Sequence, residues 1–275
     1  MKILYWDTFA GISGDMALGS LIALGADPGI IVNQLHSMGL TEFVLDVRER
    51  QVHGIKATDI NVVILGQNSE HDNHEDHDHH KHEHHHEHEH HHEHEHDHEH
   101  KHDHEHNHNR RLPDIQKMIL SGDLSERARK NALKVFNVLA EAEANIHGMT
   151  IDEVHFHEVG AVDSLVDIVG TCIALDQLDI DSIKVSTLPW SHGFVKCAHG
   201  TLPLPAPASL MLLKGFKFRD SGITGELITP TGAALIRALA EQSTFPEMAL
   251  LNVGYGSGKN DYGIPSLLRA VLGDI

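Results

Sequence analysis

The chain has 275 residues, 40% of them hydrophobic, and a formal charge of −19 at pH 7. That length suffices for one or two domains with a sizeable core; the lack of any long apolar run argues against a membrane span, and the acidic balance argues against nucleic acid as a partner. Met1 leads directly into KILYW and a polar turn rather than into a secretory signal, and Cys172 and Cys197 are too few for a disulfide scaffold, so reduced thiols in the cytoplasm are expected.

Residues 2–6 form a β-prone run, and the following DTFAGISGDMALGSLIALGADP passes from a glycine-rich turn, with Gly11 and Gly14, into a helical pattern. Such a junction leaves free backbone N–H groups at a helix start, a natural anion or phosphate site, and sets Asp7 and Asp15 near the carboxyl end of the strand. Two carboxylates there can hold a divalent cation; turn and cap bonds are the alternative use. A second helix is expected over 28–38, and two β-rich runs flanking His53-Gly54 read as an antiparallel pair.

Between 70 and 109 the composition changes. This stretch holds 21 of the 28 histidines, with 14 Asp or Glu and only Lys81 and Lys101 among them. It is densest around His84, His85, His86, His88, His90, His91 and His92. With almost nothing apolar to bury, it is expected to be disordered. Neutral imidazole suits nickel, copper and zinc, and carboxylates add charge and oxygen donors, so the stretch reads as a metal-collecting arm. A solubilising spacer or expression tag is the alternative. Imidazoles titrate near pH ~6.5, so protons compete with metal on acidification. The expected organisation is therefore 1–69 as the first part of a body, 70–109 as an insert and 110–275 as the remainder.

After the insert, LPDIQKMIL reads as a short helix, and Asp123-x-x-Glu126 as a capping box ahead of ERARKNALKVFNVLAEAEANIHG. Ala128, Ala132, Val135, Phe136, Leu139 and Ile146 recur at helical spacing, with Gly148 as the stop, so this helix is expected to pack rather than to do chemistry. A nearly all-apolar helix over 161–178 then carries Asp163 and Asp167 one turn apart on one face. Ionised carboxylates on a buried helix need a cation, donors or a shifted pKa. With His155, His157 and Glu158 just upstream, these five residues make a candidate metal or acid/base site; helix-end stabilisation, an arginine partner and core histidines are the structural alternative.

A strand over 182–188 precedes a proline-rich turn and a helix near 206–213. Cys197 and His199, if extended, point to one face and offer a soft and a borderline ligand, a pair suited to nickel or zinc. In GELITPTGAALI, Thr229 is the expected N-cap, Pro230 the first helical residue and Gly232 a point of close approach; with Thr231 this start could take a phosphate. NVGYGSGKNDYG resembles a phosphate loop only superficially, because Val253 and Asn260 stand where a Walker loop needs Gly and Ser or Thr. Alternating strands and helices give a mixed α/β or α+β body, a mixed sheet with packed helices, and the chain ends at LLRAVLGDI within what reads as another apolar element.

Three stretches, YWDTFAGISGDMALGSLIALGADP, FHEVGAVDSLVDIVG, and SHGFVKCAHGTLPLPAPA with GELITPTGAALI, closely resemble LarC, the nickel insertion protein family of nickel-pincer nucleotide cofactor synthesis. The resemblance implies CTP-dependent insertion of Ni²⁺, with Mn²⁺ or Mg²⁺, into pyridinium-3,5-bisthiocarboxylic acid mononucleotide, and lactate racemase apoprotein as the eventual recipient. It also implies a longer protein in which a C-terminal portion handles most of the CTP. Its motifs fall on Asp7 to Asp15, His157 to Asp167 and Cys197 to His199 as candidate site positions. Nickel would pass from the tract to His155, His157, Cys197 and His199, and Glu158, Asp163 or Asp167 would assist removal of the ring proton. A nickel storage or chaperone protein serving a separate catalytic partner is the rival, and a metal-dependent phosphohydrolase built on Asp7, Asp15 and Asp163 a third reading. The sequence leaves a homo-oligomer open.

Overall fold

A computed structural model describes residues 1–65, 110–156, 161–197 and 199–275. The expected insert, with its seven histidines from His84 to His92, lies outside them, as do His157 and Glu158. The stretches on either side of 66–106 make one compact unit.

The hydrophobic run at the start becomes β1 (Lys2–Asp7), and the glycine-rich turn leads into α1 (Gly14–Ala23). α2 (Pro28–Ser37) starts at Asp27, whose side chain accepts from the Gly29 N–H at 2.7 Å, with proline in its first turn. β2 (Phe43–Val52) and β3 (Ile55–Ile64) pair antiparallel from Phe43↔Ile64 to Val52↔Ile55, as the sequence predicts. Their two-residue turn needs positive φ at both positions, and His53 (48°) and Gly54 (81°) supply it.

α3 (Leu112–Ser121) and α4 (Glu126–His147) follow, and α4 ends at Gly148, whose φ of 64° is the left-handed stop expected there. The capping residue of α4 is Ser125, which accepts from the Ala128 N–H at 3.0 Å, and not Asp123. Asp123 stands too far before Glu126 to reach the free N–H groups, and its own N–H donates to Ser37 Oγ. α5 (Val162–Gln177) then runs through the interior, packed on α1, α2 and α4. The strand expected over 182–188 breaks into β4 (Ser182–Val185) and β5 (Leu188–His192), which join different sheets.

β6 (Phe194–Cys197) and β7 (Gly200–Pro203) form a separate antiparallel hairpin. α6 (Pro207–Leu212), β8 (Phe218–Thr224), which pairs β5, and α7 (Pro230–Leu239) complete the second half. The chain finishes with β9 (Ala240–Gln242), β10 (Ala249–Ser257) and β11 (Leu267–Asp274).

The main sheet has seven strands in the order β2-β3-β10-β11-β1-β4-β9. It is mixed: β1 runs parallel to β4 and antiparallel to β11. LLRAVLGD is thus β11, hydrogen-bonded to β1 from Lys2↔Asp274 to Asp7↔Arg269. α1 lies against β3 and β10, and the glycines that mimic a phosphate loop serve this packing. A Cβ on Gly256 would overlap the Met16 carbonyl, so only glycine lets helix and strand approach this closely. Among the described residues no helix is long and apolar enough to cross a membrane.

Candidate functional site

The starts of three helices gather at one end of the fold. The turn before α1 meets the strand leading into α7, with Ile12 N donating to Leu227 O at 2.9 Å and Thr229 N to Ile12 O at 3.2 Å. Gly11 makes this possible at φ 99°, since a Cβ there would overlap the Leu227 carbonyl, and a Cβ on Gly232 would overlap Ile12 O. Gly14 opens α1 directly over α5: a Cβ on it would stand 2.6 Å from Asp167 Oδ2. The three glycines expected to leave room for a phosphate leave room for one another's segments, and the N–H groups of Gly11 and Gly232 are already used, by Thr8 O and Thr229 Oγ1.

A cleft of about 480 Å³ opens beside this junction. Its walls come from the last turn of α4, the first turn of α5, the β6–β7 hairpin and the start of α7. Five predicted site residues line it: Asp163, Thr229, Thr231 and the pair Cys197 and His199. Thr229 caps α7 as expected, its Oγ1 lying 3.2 Å from the Gly232 N–H and 2.8 Å from Thr231 Oγ1.

Cys197 and His199 come together for a different reason from the one the sequence suggests. Alternation along a strand does not apply, because β6 ends at Cys197 and His199 sits in the hairpin turn; Cys197 pairs with Gly200 and its thiol donates to Gly200 O at 3.4 Å. The turn faces α4. There the His147 ring stands 4.9 Å from the His199 ring, centroid to centroid, and His147 Nε2 lies 3.4 Å from Glu143 Oε2 one turn back. The last turn of α4 is therefore part of the cleft, against the expectation that this helix only packs. Ile146, placed on its buried stripe by spacing, is 38% exposed and lines the cleft. The signal for His147 and Glu143 was their i,i+4 spacing at the helix end, which reads equally as a surface ion pair.

A smaller pocket of about 150 Å³, lined by Ser13, Asp15, Lys259 and Tyr262 among others, shares Glu226 and Thr229 with the cleft. Asp15 accepts from Ser13 Oγ and from the Met16 N–H. Burial raises its pKa against the pull of those bonds and of Lys259. Lys259 donates to Asp59 Oδ1 at 2.8 Å and Ile60 O at 2.6 Å.

Asp167 sits between the two pockets, with Asp163 one turn away on α5 and Asp15 on α1 acting on it electrostatically. Its Oδ1 is closed off from solvent without a hydrogen-bond partner, so no arginine meets it as the structural alternative required. Burial, and then the charges of Asp15 and Asp163, raise its pKa well above the usual carboxylate range.

Two expected groupings do not form. Asp7 is not placed with Asp15 for a shared cation: it is bound by the Arg269 guanidinium across the β1–β11 register, with Nε at 3.1 Å. His155 does not join Asp163 and Asp167 either; it is exposed in a bridge to Arg111, because Phe156 next to it takes the inward position and lines the cleft. Among the described residues no three His, Cys, Asp or Glu side chains are placed to hold a metal ion by themselves. Cys172, the other thiol, is buried in α5 and pushed up in pKa by burial, which makes it inert.

No solved structure matches the chain. A family model described as nickel insertion protein matches residues 4–274. A putative nickel insertion protein of Dictyoglomus thermophilum is 38% identical over 276 residues, covering 100% of this chain and 61% of its own length. The pyridinium-3,5-bisthiocarboxylic acid mononucleotide nickel insertion protein of Acetivibrio thermocellus is 39% identical over 277 residues, covering 100% and 61%. The protein of the same name in Staphylococcus epidermidis strain RP62A is 38% identical over 274 residues, covering 99% and 60%. The chain thus spans about three fifths of the length of these relatives, and the matched stretch takes in both pockets and every element that lines them. The chain belongs to the nickel insertion protein family.

Proposed function

We propose that this chain carries the insertion of Ni²⁺ into pyridinium-3,5-bisthiocarboxylic acid mononucleotide, with the cleft as the place where metal and substrate meet. The observation that carries the reading is the donor set around the cleft: the Cys197 thiol and His199 at the hairpin tip stand opposite His147, with Glu143, Asp163 and Glu226 against Lys196. A thiol and imidazoles suit nickel, and surplus carboxylates favour a cation. Its volume falls within the range of about 300–1,000 Å³ usual for small-molecule sites.

A transfer site should hold its metal incompletely. Two protein donors leave coordination positions for the two thiocarboxylate sulfurs of the substrate, whereas a storage site would close the shell. Asp163 lines the cleft, as do Glu143 and Glu226, and on this reading it takes the ring proton; Thr229 and Thr231 offer hydroxyls to the phosphate at the start of α7. The tract from 70 to 109 gathers nickel and feeds the body, covalent tethering keeping the local metal concentration high.

The family resemblance adds CTP with Mn²⁺ or Mg²⁺, lactate racemase as recipient of the product, and a cytoplasmic setting. Neither pocket at this site is built for a triphosphate: the small one is about 150 Å³ with its lysine engaged by Asp59, and the cleft sets Glu143, Asp163 and Glu226 against the single lysine Lys196. The nucleotide is therefore assigned to the part of the longer relatives that this chain does not match, which the family resemblance puts in a C-terminal portion.

Incubating the chain with substrate, Ni²⁺, CTP and Mn²⁺, alone and with that C-terminal portion, tests the reading. Nickel in the product, lost on Cys197→Ser or Asp163→Asn, is the expected result. Nickel binding by the chain with no product in either mixture would refute it in favour of storage.

A further inference from the structure

Forming a carbon–nickel bond at a ring carbon breaks a C–H bond and releases a proton inside a cleft that must exclude water to keep its donors on the metal. Three carboxyls lead from the cleft toward the small pocket. Asp163 lines the cleft, and Asp167 follows one turn later on the same face of α5, with Oδ1 sealed from solvent and unpartnered. On the far side its Oδ2 lies against the first residue of α1: the space a Gly14 Cβ would fill is 2.6 Å from it. The next residue of α1, Asp15, lines the small pocket.

We propose that Asp163, Asp167 and Asp15 form a proton relay that carries the proton released in the cleft through the core to the small pocket. The inference rests on the insertion reading for the source of the proton. The ring C–H electron pair becomes the carbon–nickel bond while nickel stays divalent, and the proton goes to the Asp163 carboxylate. Asp163, on a side-chain rotation or through a bridging water that brings it within hydrogen-bond distance, passes a proton to Asp167, which gives up its own from its other oxygen to Asp15 in the same way. Asp15 then loses it at the small pocket, so one proton crosses and Asp167 ends as it began, neutral.

The three environments differ in the way a relay requires. Asp163 is exposed to the cleft; Asp167, half-buried with its Oδ1 closed off from solvent, is the carboxyl whose pKa burial and two neighbouring acids raise; Asp15, also half-buried, accepts from Ser13 and the Met16 N–H. The other charged groups facing this line are Lys259, which acts on both Asp15 and Asp167, and Asp59, which acts on Asp15. Lys259 thereby favours the charge on Asp15 at the exit. Holding a cation is the competing use for three carboxyls, but among the described residues no such group is placed to do so. Gly14 is explained as well, because any side chain there would press on Asp167.

Infrared difference spectra of the full chain test the resting state without turnover. At pH 7 the wild type should show the C=O stretch of a protonated carboxyl that Asp167→Asn removes and that Asp15→Asn and Asp163→Asn each displace. In single-turnover insertion with Ni²⁺, substrate, CTP and Mn²⁺, Asp167→Asn should slow nickel incorporation ~100-fold, the scale of lost general acid–base assistance. Its nickel and substrate affinities should be unchanged, and Asp167→Glu should recover part of the rate. The relay is overturned by a wild type without that band, or by an Asp167→Asn protein that inserts at full rate. A wild type that shows the band but inserts no nickel under any condition refutes the insertion reading. The relay then falls with its proton source, although the protonated carboxyl stands.

Discussion

Replacing Asp167 by Asn should change how stability responds to pH, and the size of the change follows from its surroundings. In the unfolded chain an aspartate titrates near pH ~3.9. In the folded chain burial and the charges of Asp15 and Asp163 hold the Asp167 proton to well above that. Between the two values the native state binds about one proton more than the unfolded state, so stability falls as pH rises, by about 1.4 kcal/mol per pH unit. This is the reverse of an ion-paired aspartate, whose stabilisation is lost on acidification. Asparagine has the shape of the neutral acid and does not titrate. From pH 5 upward, until Asp167 ionises in the native state, the wild type should therefore lose stability relative to Asp167→Asn by about 1.4 kcal/mol per unit. The two curves should run parallel above that point. Contributions of all 28 histidines are common to both proteins and drop out of the difference. Urea unfolding in chelated buffers, followed by the fluorescence of the fully buried Trp6, reads the effect as a relative midpoint shift of ~0.5–1 M per pH unit. Parallel wild-type and variant curves throughout pH 5 to 7 would show that Asp167 is ionised in the native protein and would refute the argument.

Removing the tract from 70 to 109 should raise the nickel concentration needed for half-maximal insertion while leaving the rate at saturating nickel intact; a deletion protein inactive at every nickel concentration would sink the delivery role. In that same deletion background, Cys197→Ser should abolish thiolate-to-nickel charge-transfer absorption, and His147→Ala should weaken nickel binding in calorimetry about tenfold or more. Unchanged titrations would remove both residues from the metal's path. Thr229→Ala should cost about 1 kcal/mol through loss of the α7 cap. Differential scanning calorimetry should show the melting temperature lowered by roughly 2–4 °C.

Local chemistry made most elements legible. Asn and Gly are the usual residues of a two-residue hairpin turn, yet His53-Gly54 between β-rich runs was enough to place β2 and β3, and Thr229-Pro230 marked the start of α7. What the sequence could not show was who stands across from whom. Cys197 and His199 are two residues apart, which reads as one face of a strand, but a four-residue register between Cys197 and Gly200 makes the same spacing a hairpin tip. His155 and Asp163 share a short stretch, but Phe156 claims the inward position and turns His155 out. Asp7 pairs with a residue 262 positions away, a contact fixed by the β1–β11 register and invisible to spacing. His147 was hidden because the periodicity that identifies α4 as a packing helix says nothing about its final turn, where the buried stripe runs out from under the neighbouring elements.

The charge pattern around the cleft also gives it a direction. Helix starts carry partial positive charge, and those of α5 and α7 reach the cleft at Asp163 and at Thr229 to Thr231. The thiol and imidazoles lie at the other wall, on the hairpin tip and the last turn of α4, where a helix end is partially negative. The proposed substrate, a mononucleotide with an anionic phosphate and a metal-seeking ring, would fit such a site in one orientation, phosphate toward the helix starts and sulfurs toward Cys197 and His147. That orientation brings the ring between the metal donors and the first turn of α5. On the proposed insertion reading Asp163, at that first turn, would stand beside the carbon that loses its proton, with Asp167 one turn behind it on the same face of the helix.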